Sequence, residues 1–217
     1  MDTKILNQQS QHWESNFSSK PEMFGLDPSI SAIKALKIFK SEKTNRIVEL
    51  GAGLGRDTIY FAKNSIHVEA LDYSQSGIKN INQKIIKNNL SNIIKTKIFD
   101  VRKKLPFKNN SIEGVYSHML YCMALMTSDL ESLNKEIHRI LKPGGINIYT
   151  VRHTNDGDYK KGIHRGEDMY ENDGFIVHFF SKNKINSLLK GFINLKITSF
   201  EEGSFPRKLY FVANKKL

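Results

Sequence analysis

The chain has 217 residues, enough for a sizeable core, and 39% of them are apolar, which excludes wholesale disorder. Basic residues outnumber acidic ones by 33 to 22, giving a formal net charge of +11 and raising the question of nucleic acid. A single cysteine, Cys122, excludes an internal disulfide framework, and no run approaches the roughly 20 apolar residues of a membrane helix.

Residues 1–28 read as an N-terminal cap segment with a short helix at 6–17, punctuated by Pro21 and Pro28. No apolar stretch of a secretory signal stands in its first residues, so a cytoplasmic location is expected. A helix follows at 29–40, on which Ile30, Ile33, Leu36 and Ile38 form an imperfect stripe. Residues 46–50 are a short apolar strand running into glycines, followed by a helix at 55–64. A second strand covers 67–71. Ser74 then caps a helix with Ile78, Ile81, Ile85 and Ile86 at helical spacing. A third strand is expected at 93–99 and a fourth at 112–117. Ser128-Asp129-Leu130-Glu131 reads as a capping box, opening a helix that Lys142-Pro143-Gly144-Gly145 ends before a fifth strand at 146–151.

Beyond the fifth strand the alternation loosens. Residues 153–174 are polar and glycine-bearing, and read as an inserted loop on the substrate side. Ser181 caps a last helix through residue 189. Strands at 193–200 and 208–213, joined by a short turn at 203–206, close the chain as an antiparallel hairpin. The order of elements predicts one domain over 1–217. Its fold class is α/β: a Rossmann-like doubly wound sheet of about seven strands, mostly parallel with an antiparallel C-terminal hairpin strand, and helices on both faces.

A strand that ends in Gly51-Ala52-Gly53-Leu54-Gly55 and opens a helix lets backbone approach a ligand closely and offers free N–H groups. Asp72, 21 residues after Gly51, stands at the end of the next strand, where a carboxylate can accept ribose hydroxyls. A dinucleotide fingerprint would require a third glycine at position 56, which is Arg56. Glu49, before the turn, suits an ammonium group better than a pyrophosphate. The bland alternative for the segment is a structural glycine-rich turn.

Taken in order, the chain resembles class I S-adenosylmethionine-dependent methyltransferases over nearly its whole length. The resemblance is carried by Val48 to Gly55, by Ala70-Leu71-Asp72-Tyr73-Ser74, by Phe99-Asp100-Val101, by Gly114-Val115-Tyr116-Ser117-His118 and by Leu141-Lys142-Pro143-Gly144-Gly145. The Gly55-Arg56-Asp57 variant, with Trp13 and Phe24-Gly25 upstream, is similar to the thiopurine and tellurite-resistance branch. The resemblance implies S-adenosyl-L-methionine as cofactor, S-adenosyl-L-homocysteine as product and no metal. It implies that Glu49, Gly51, Ala52 and Gly53 line the methionine end. Asp72 would hold the ribose with Tyr73 nearby, Asp100 and Val101 would read the adenine, and Ser117 would lie beside the sulfonium. Arg56 would meet the methionine carboxylate or form a structural salt bridge. Trp13 would close over the cofactor or simply pack.

Methyl transfer is an in-line displacement that asks for alignment of the acceptor and exclusion of water. Acceptor groups should follow strands four and five, which nominates His118 and His153 as bases and Tyr121 and Arg152 as contacts. Hydrogen-bonded structural histidines are the competing reading. The insert adds His164, Arg165 and Tyr170 and reads as a gating lid; its histidine spacing matches no zinc pattern. Cys122 reads as a buried small apolar residue. The basic residues comprise 26 lysines, spread along the chain, and only 7 arginines, whereas phosphate and base recognition favours arginine. A small polar or anionic acceptor is therefore expected, and nucleic acid is disfavoured. The alternatives are an RNA or protein methyltransferase, a dinucleotide oxidoreductase, and a cofactor-binding module without catalysis.

Overall fold

The computed structural model describes residues 3–203 and 207–217. A long helix, α1 (Thr3–Ser19), precedes α2 (Ile30–Ser41) and an alternation of β1 (Arg46–Leu50), α3 (Arg56–Lys63), β2 (His67–Asp72), α4 (Gln75–Lys87) and β3 (Ile94–Ile98). Then come β4 (Ile112–Ser117), α5 (Thr127–Ile140) and β5 (Leu141–Arg152). Three short strands follow, β6 (Ile163–His164), β7 (Met169–Asn172) and β8 (Phe175–His178). The chain ends with α6 (Lys182–Ser187), β9 (Phe192–Glu202) and β10 (Arg207–Lys216). Among the described residues no helix is long and apolar enough to cross a membrane.

Seven strands form one sheet in the order β3-β2-β1-β4-β5-β10-β9, with β10 antiparallel to both its neighbours. Inward residues alternate between two cores because successive side chains leave a strand on opposite faces. Val115, Tyr149, Val151, Tyr210 and Val212 pack with Leu133 and Ile137 of α5 and Ile185 of α6. Their neighbours Tyr116, Ile148 and Phe211 pack with Phe39 of α2, Phe61 of α3 and Ile81 of α4. The strand order reverses between β1 and β4, so their carboxyl ends splay and leave a crevice there.

Four local expectations change. The helix before β5 starts at Thr127, one residue before the expected Ser128 cap: Asp129 accepts from the Met126 amide (2.9 Å), and Glu167 of the insert covers the Thr127 N–H (3.1 Å). Lys142-Pro143-Gly144-Gly145 is a bulge inside β5, since Ile112 pairs with Leu141 but Gly114 with Ile146. The expected loop at 153–174 carries two strands of an antiparallel sheet, β6-β7-β8, that is separate from the main one. The first helix is longer than its apolar residues suggested; Gln9 fixes it to the insert by donating to Gly174 O (2.8 Å) and accepting from Ile176 N (3.1 Å). Of the expected turn at 203–206, residues 204–206 lie outside the described residues.

Candidate active site

A cavity of about 670 Å³ opens over the carboxyl ends of β1, β2 and β4. Its floor is the turn between β1 and α3. Gly51 and Gly55 stand at φ +68° and +80°, a region that costs a residue with a Cβ about 1–2 kcal/mol. A Cβ on Gly55 would also come within 2.6 Å of Ile81. The turn is held by Gly51 N and Ala52 N donating to Leu71 O (2.8 and 3.1 Å) and by Gly53 N donating to Asp72 Oδ2 (2.7 Å). Asp72 therefore does two jobs: it fixes the glycine loop and presents its carboxyl at the cavity wall. Its other oxygen accepts from Ser74 N (2.8 Å). Burial pushes this carboxyl up to about 6, against the lowering effect of those two amide donors.

Glu49 is buried under the same turn and accepts from Thr58 Oγ1 (2.5 Å). Burial and the nearby Asp57 carboxylate raise it well above the ordinary carboxylate range, with the Thr58 hydrogen bond opposing. Asp57 is structural: it accepts from Ser29 N and Oγ (2.8 and 2.7 Å) and Tyr116 OH (2.9 Å). Tyr73, Phe99 and Val101 line the far wall. Trp13 and Phe17 of α1 roof the turn, with ring centroids 5.2 Å apart, and Trp13 also packs on Phe175 of β8 at 4.7 Å. Glu14, on the same helix, accepts from Ser74 Oγ and Ser76 Oγ (2.6 and 2.5 Å) and so pins α1 to the start of α4.

The opposite end of the cavity is assembled from segments far apart in sequence. His118, just past β4, has Nδ1 2.9 Å from Thr150 Oγ1. Its Nε2 lies 3.4 Å from Arg56 Nη2 and 3.3 Å from Glu202 Oε2 at the end of β9. Glu202 also accepts from Ile30 N (3.1 Å) and faces Arg56 at 3.7 Å. Burial works to raise its carboxyl, but His118, the Ile30 amide and Arg56 hold it below its ordinary value. Arg152 is buried beside the cavity, bound to Asp156 and Asp158. Met119, Met123, Phe179 and Leu209 complete an apolar wall.

Trp13, Glu49, Gly51, Ala52, Gly53, Arg56, Asp72, Tyr73, Val101, His118 and Arg152 all line this one cavity. The seven other expected site residues lie off its wall. Asp100 is bound by its neighbour Arg102 (2.7 Å), and Ser117 is wholly buried. Tyr121 is a core residue, fully buried and stacked on Tyr149 at 4.3 Å. His153 stacks on Tyr210 at 4.1 Å and accepts from Asn155 N (2.7 Å). His164 leans on Tyr170 and sits 2.9 Å from Glu167 O, while Arg165 pairs with Glu171 at 2.6 Å. Tyr170 packs among His164, Tyr159 and Phe179. Cys122 is buried, as expected, with Sγ 3.2 Å from Met119 O, and burial pushes its thiol up to about 11. No group of three or more His, Cys, Asp or Glu side chains that could hold a metal ion occurs among the described residues.

Sequence reasoning missed Glu202, Asp158 and Arg207. Alternation in the closing strands could mark the hairpin, but no local pattern announces which strand end turns back over a cavity.

The family described as "Methyltransferase domain" matches residues 48–149, from the start of the glycine turn to β5. The chain is 39% identical over 116 residues to phosphoethanolamine N-methyltransferase 1 of Triticum aestivum, a stretch covering 52% of this chain but 22% of that protein. The chain therefore spans far less than two thirds of that relative. Among solved structures, a 1,6-didemethyltoxoflavin-N1-methyltransferase of Burkholderia thailandensis, crystallised with 1,6-didemethyltoxoflavin and S-adenosylhomocysteine, superposes with a TM-score of 0.78. The match covers 100% of this chain and 90% of that one, at 14% identity. TehB from Haemophilus influenzae gives 0.69 at 18% identity, covering 94% and 67%. Residues 48–149 thus match a methyltransferase domain, and the strand order, with a cavity on the glycine turn, is the fold of the solved S-adenosylmethionine-dependent methyltransferases that this chain resembles.

Proposed function

We propose that the protein transfers a methyl group from S-adenosylmethionine to a small polar molecule held at the His118 end of the cavity. The observation that carries this reading is the convergence of Glu49, the glycine turn and Asp72 on one end of a cavity whose other end holds His118. The cofactor fits the donor set. The cradle at Gly51 leaves no room for a side chain, since a Cβ there would meet Leu120 at 3.0 Å. Two buried carboxyls suit an ammonium group and a ribose diol. The aromatic wall of Tyr73 and Phe99 suits a flat base. When bound, the cofactor supplies an electrophilic methyl group on a sulfonium.

Asp72 accepts the ribose hydroxyls and keeps its hold on Gly53, so binding and loop shape are coupled. Trp13 and Phe17 exclude water from above. His118 takes the proton from an acceptor that has one to lose, with Thr150 fixing its ring and Glu202 placed to pair with the imidazolium formed. Arg56, between Phe24 O (3.2 Å) and Glu202, holds the cofactor turn to the closing hairpin. Asp100 and Ser117 act from behind the wall through the backbone. The lining at this end mixes apolar side chains with paired charges, so a small polar acceptor with an apolar face fits it. The phosphoethanolamine and didemethyltoxoflavin enzymes among its relatives supply the same kind of precedent.

The test is incubation of the purified chain with methyl-labelled S-adenosylmethionine and a panel of small amines, phospho-amines and nitrogen heterocycles. Label should pass to a small molecule and S-adenosylhomocysteine should accumulate. Label transferred only to RNA or protein would contradict the acceptor class.

A further inference from the structure

Arg152 and Asp158 form an ion pair that the fold does not need. Asp156 already binds the guanidinium, accepting from Nε (3.1 Å) and Nη2 (2.5 Å), and is itself fixed by the Lys208 and Asp158 amides (2.7 and 2.9 Å). Its side chain is 2% exposed, as a structural partner should be. Asp158 adds a second carboxylate on the same Nη2 (2.7 Å), and its side chain is 54% exposed. Among the described residues Arg152 Nη1 has no hydrogen-bond partner, although Arg152 lines the cavity.

A second cation stands beside this pair. Leu209 sits directly opposite Arg152 across the β5–β10 ladder, and Arg207, two residues earlier, leaves β10 on the same face. Arg207 lines the cavity and forms no ion pair among the described residues. Its cross-strand neighbour Glu202 is engaged with His118 and Arg56. Charge at this corner is balanced while Asp158 stays on Arg152. Rotation of that one exposed side chain into solvent leaves a surplus positive charge and a vacant guanidinium edge facing the cavity.

We propose that Asp158 stands in for the oxyanion of the methyl acceptor: an acceptor carrying a carboxylate or phosphate displaces Asp158 and is held between Arg152 and Arg207. The oxyanion would sit on the apolar wall of Phe179 and Leu209, and the reacting end would extend toward His118. The Asp158 amide stays on Asp156, so the exchange requires only a side-chain rotation. Asp158 then acts as an intramolecular competitor that lowers the apparent affinity for the anion. The inference rests on the reading of this end of the cavity as the acceptor side.

The test is binding of inorganic phosphate and of acetate to the cofactor-free full chain, each followed by amide shifts in NMR, with a parallel titration by S-adenosylhomocysteine. One of the two anions should bind saturably and move the amides of 156–158 and 207–209. Asp158→Asn should tighten it roughly tenfold, and Arg207→Gln should weaken it by a similar factor, the size of one charge-assisted contact. Phosphate alone would indicate a phosphomonoester acceptor, and acetate a carboxylate. Failure of both anions to bind at these residues in wild type and Asp158→Asn, or equal affinity in the two, overturns the inference. If S-adenosylhomocysteine binds in that case, the methyltransferase reading survives. Anion binding without S-adenosylhomocysteine binding would instead sink that reading, and with it the assignment of the bound anion to a methyl acceptor.

Discussion

The two ends of the cavity are built on different principles. At the glycine end, nearly every group comes from a strand's carboxyl end or the turn after it, and backbone amides do much of the holding: Gly53 N fixes Asp72, and Leu71 O fixes Gly51. At the other end His118, Arg152, Asp158, Glu202 and Arg207 meet from β4, β5, the insert and both hairpin strands. There, side chains hold side chains. A scaffold built this way can vary the second end without disturbing the first.

The strongest way to break this division is at His118. His118→Asn should lower methyl transfer to a protic acceptor by about 10²–10⁴-fold, the usual share of a general base, while S-adenosylhomocysteine affinity changes by less than about threefold. Single-turnover rates and calorimetry read the two effects separately. An equal loss in both would join the ends that the account separates.

Next in size is an effect on the frame of the acceptor end. His178 is fully buried, 2.8 Å from Leu125 O through Nδ1 and 2.5 Å from Lys184 Nζ through Nε2, with Glu167 at 3.4 Å. Burial and the Lys184 charge push it down to about 4 from an ordinary 6.5. A lowered histidine leaves the unfolded chain binding more protons between these values. Its contribution is therefore full above pH 6.5 and lost as pH falls to 4, on the order of 3 kcal/mol. Urea titrations at several pH values should show this slope in wild type and a flatter one in His178→Gln.

Asp72→Ala should weaken S-adenosylhomocysteine roughly 100-fold, the sum of two hydrogen bonds to a charged group. The pH dependence has its own sign. The free carboxyl titrates near 6, and hydroxyl donors favour its ionised form, so affinity should rise as pH passes upward through about 6. Proton release measured at pH 6 in two buffers checks it. Smallest of all, His164→Ala and His153→Ala should change cofactor binding and turnover by less than about twofold, because both rings sit off the cavity wall. A tenfold loss in either would mean that the insert closes further than its present packing indicates.

Much of the glycine end was legible in the sequence because it obeys local rules. Glycines that must adopt positive φ, an acid one strand later and apolar alternation all leave marks within a few residues of one another. Asp100, expected to read the adenine, has its carboxylate on Arg102, a pairing that no local pattern announced. At the acceptor end, proximity to strands four and five selected His118 and Arg152, which line the cavity, but also His153 and Tyr121, which do not. Residues one step apart on a strand face opposite sides, and Tyr121 found a stacking partner in the core. The insert's unusual text at 162–168 drew attention to His164 and Arg165, whose partners, Glu167 O and Glu171, lie within the insert itself. Glu202 had no local mark, since its role depends on where β9 ends relative to α2 and α3.

The central claim is that the glycine turn and Asp72 form an S-adenosylmethionine site open toward His118. A crystal structure with S-adenosylhomocysteine tests it most directly. The account predicts both ribose hydroxyls on the Asp72 carboxylate, the amino-acid end beside Glu49 and Gly51, and the sulfur facing the His118 end. A ligand bound elsewhere, or one that leaves Asp72 untouched, would contradict it.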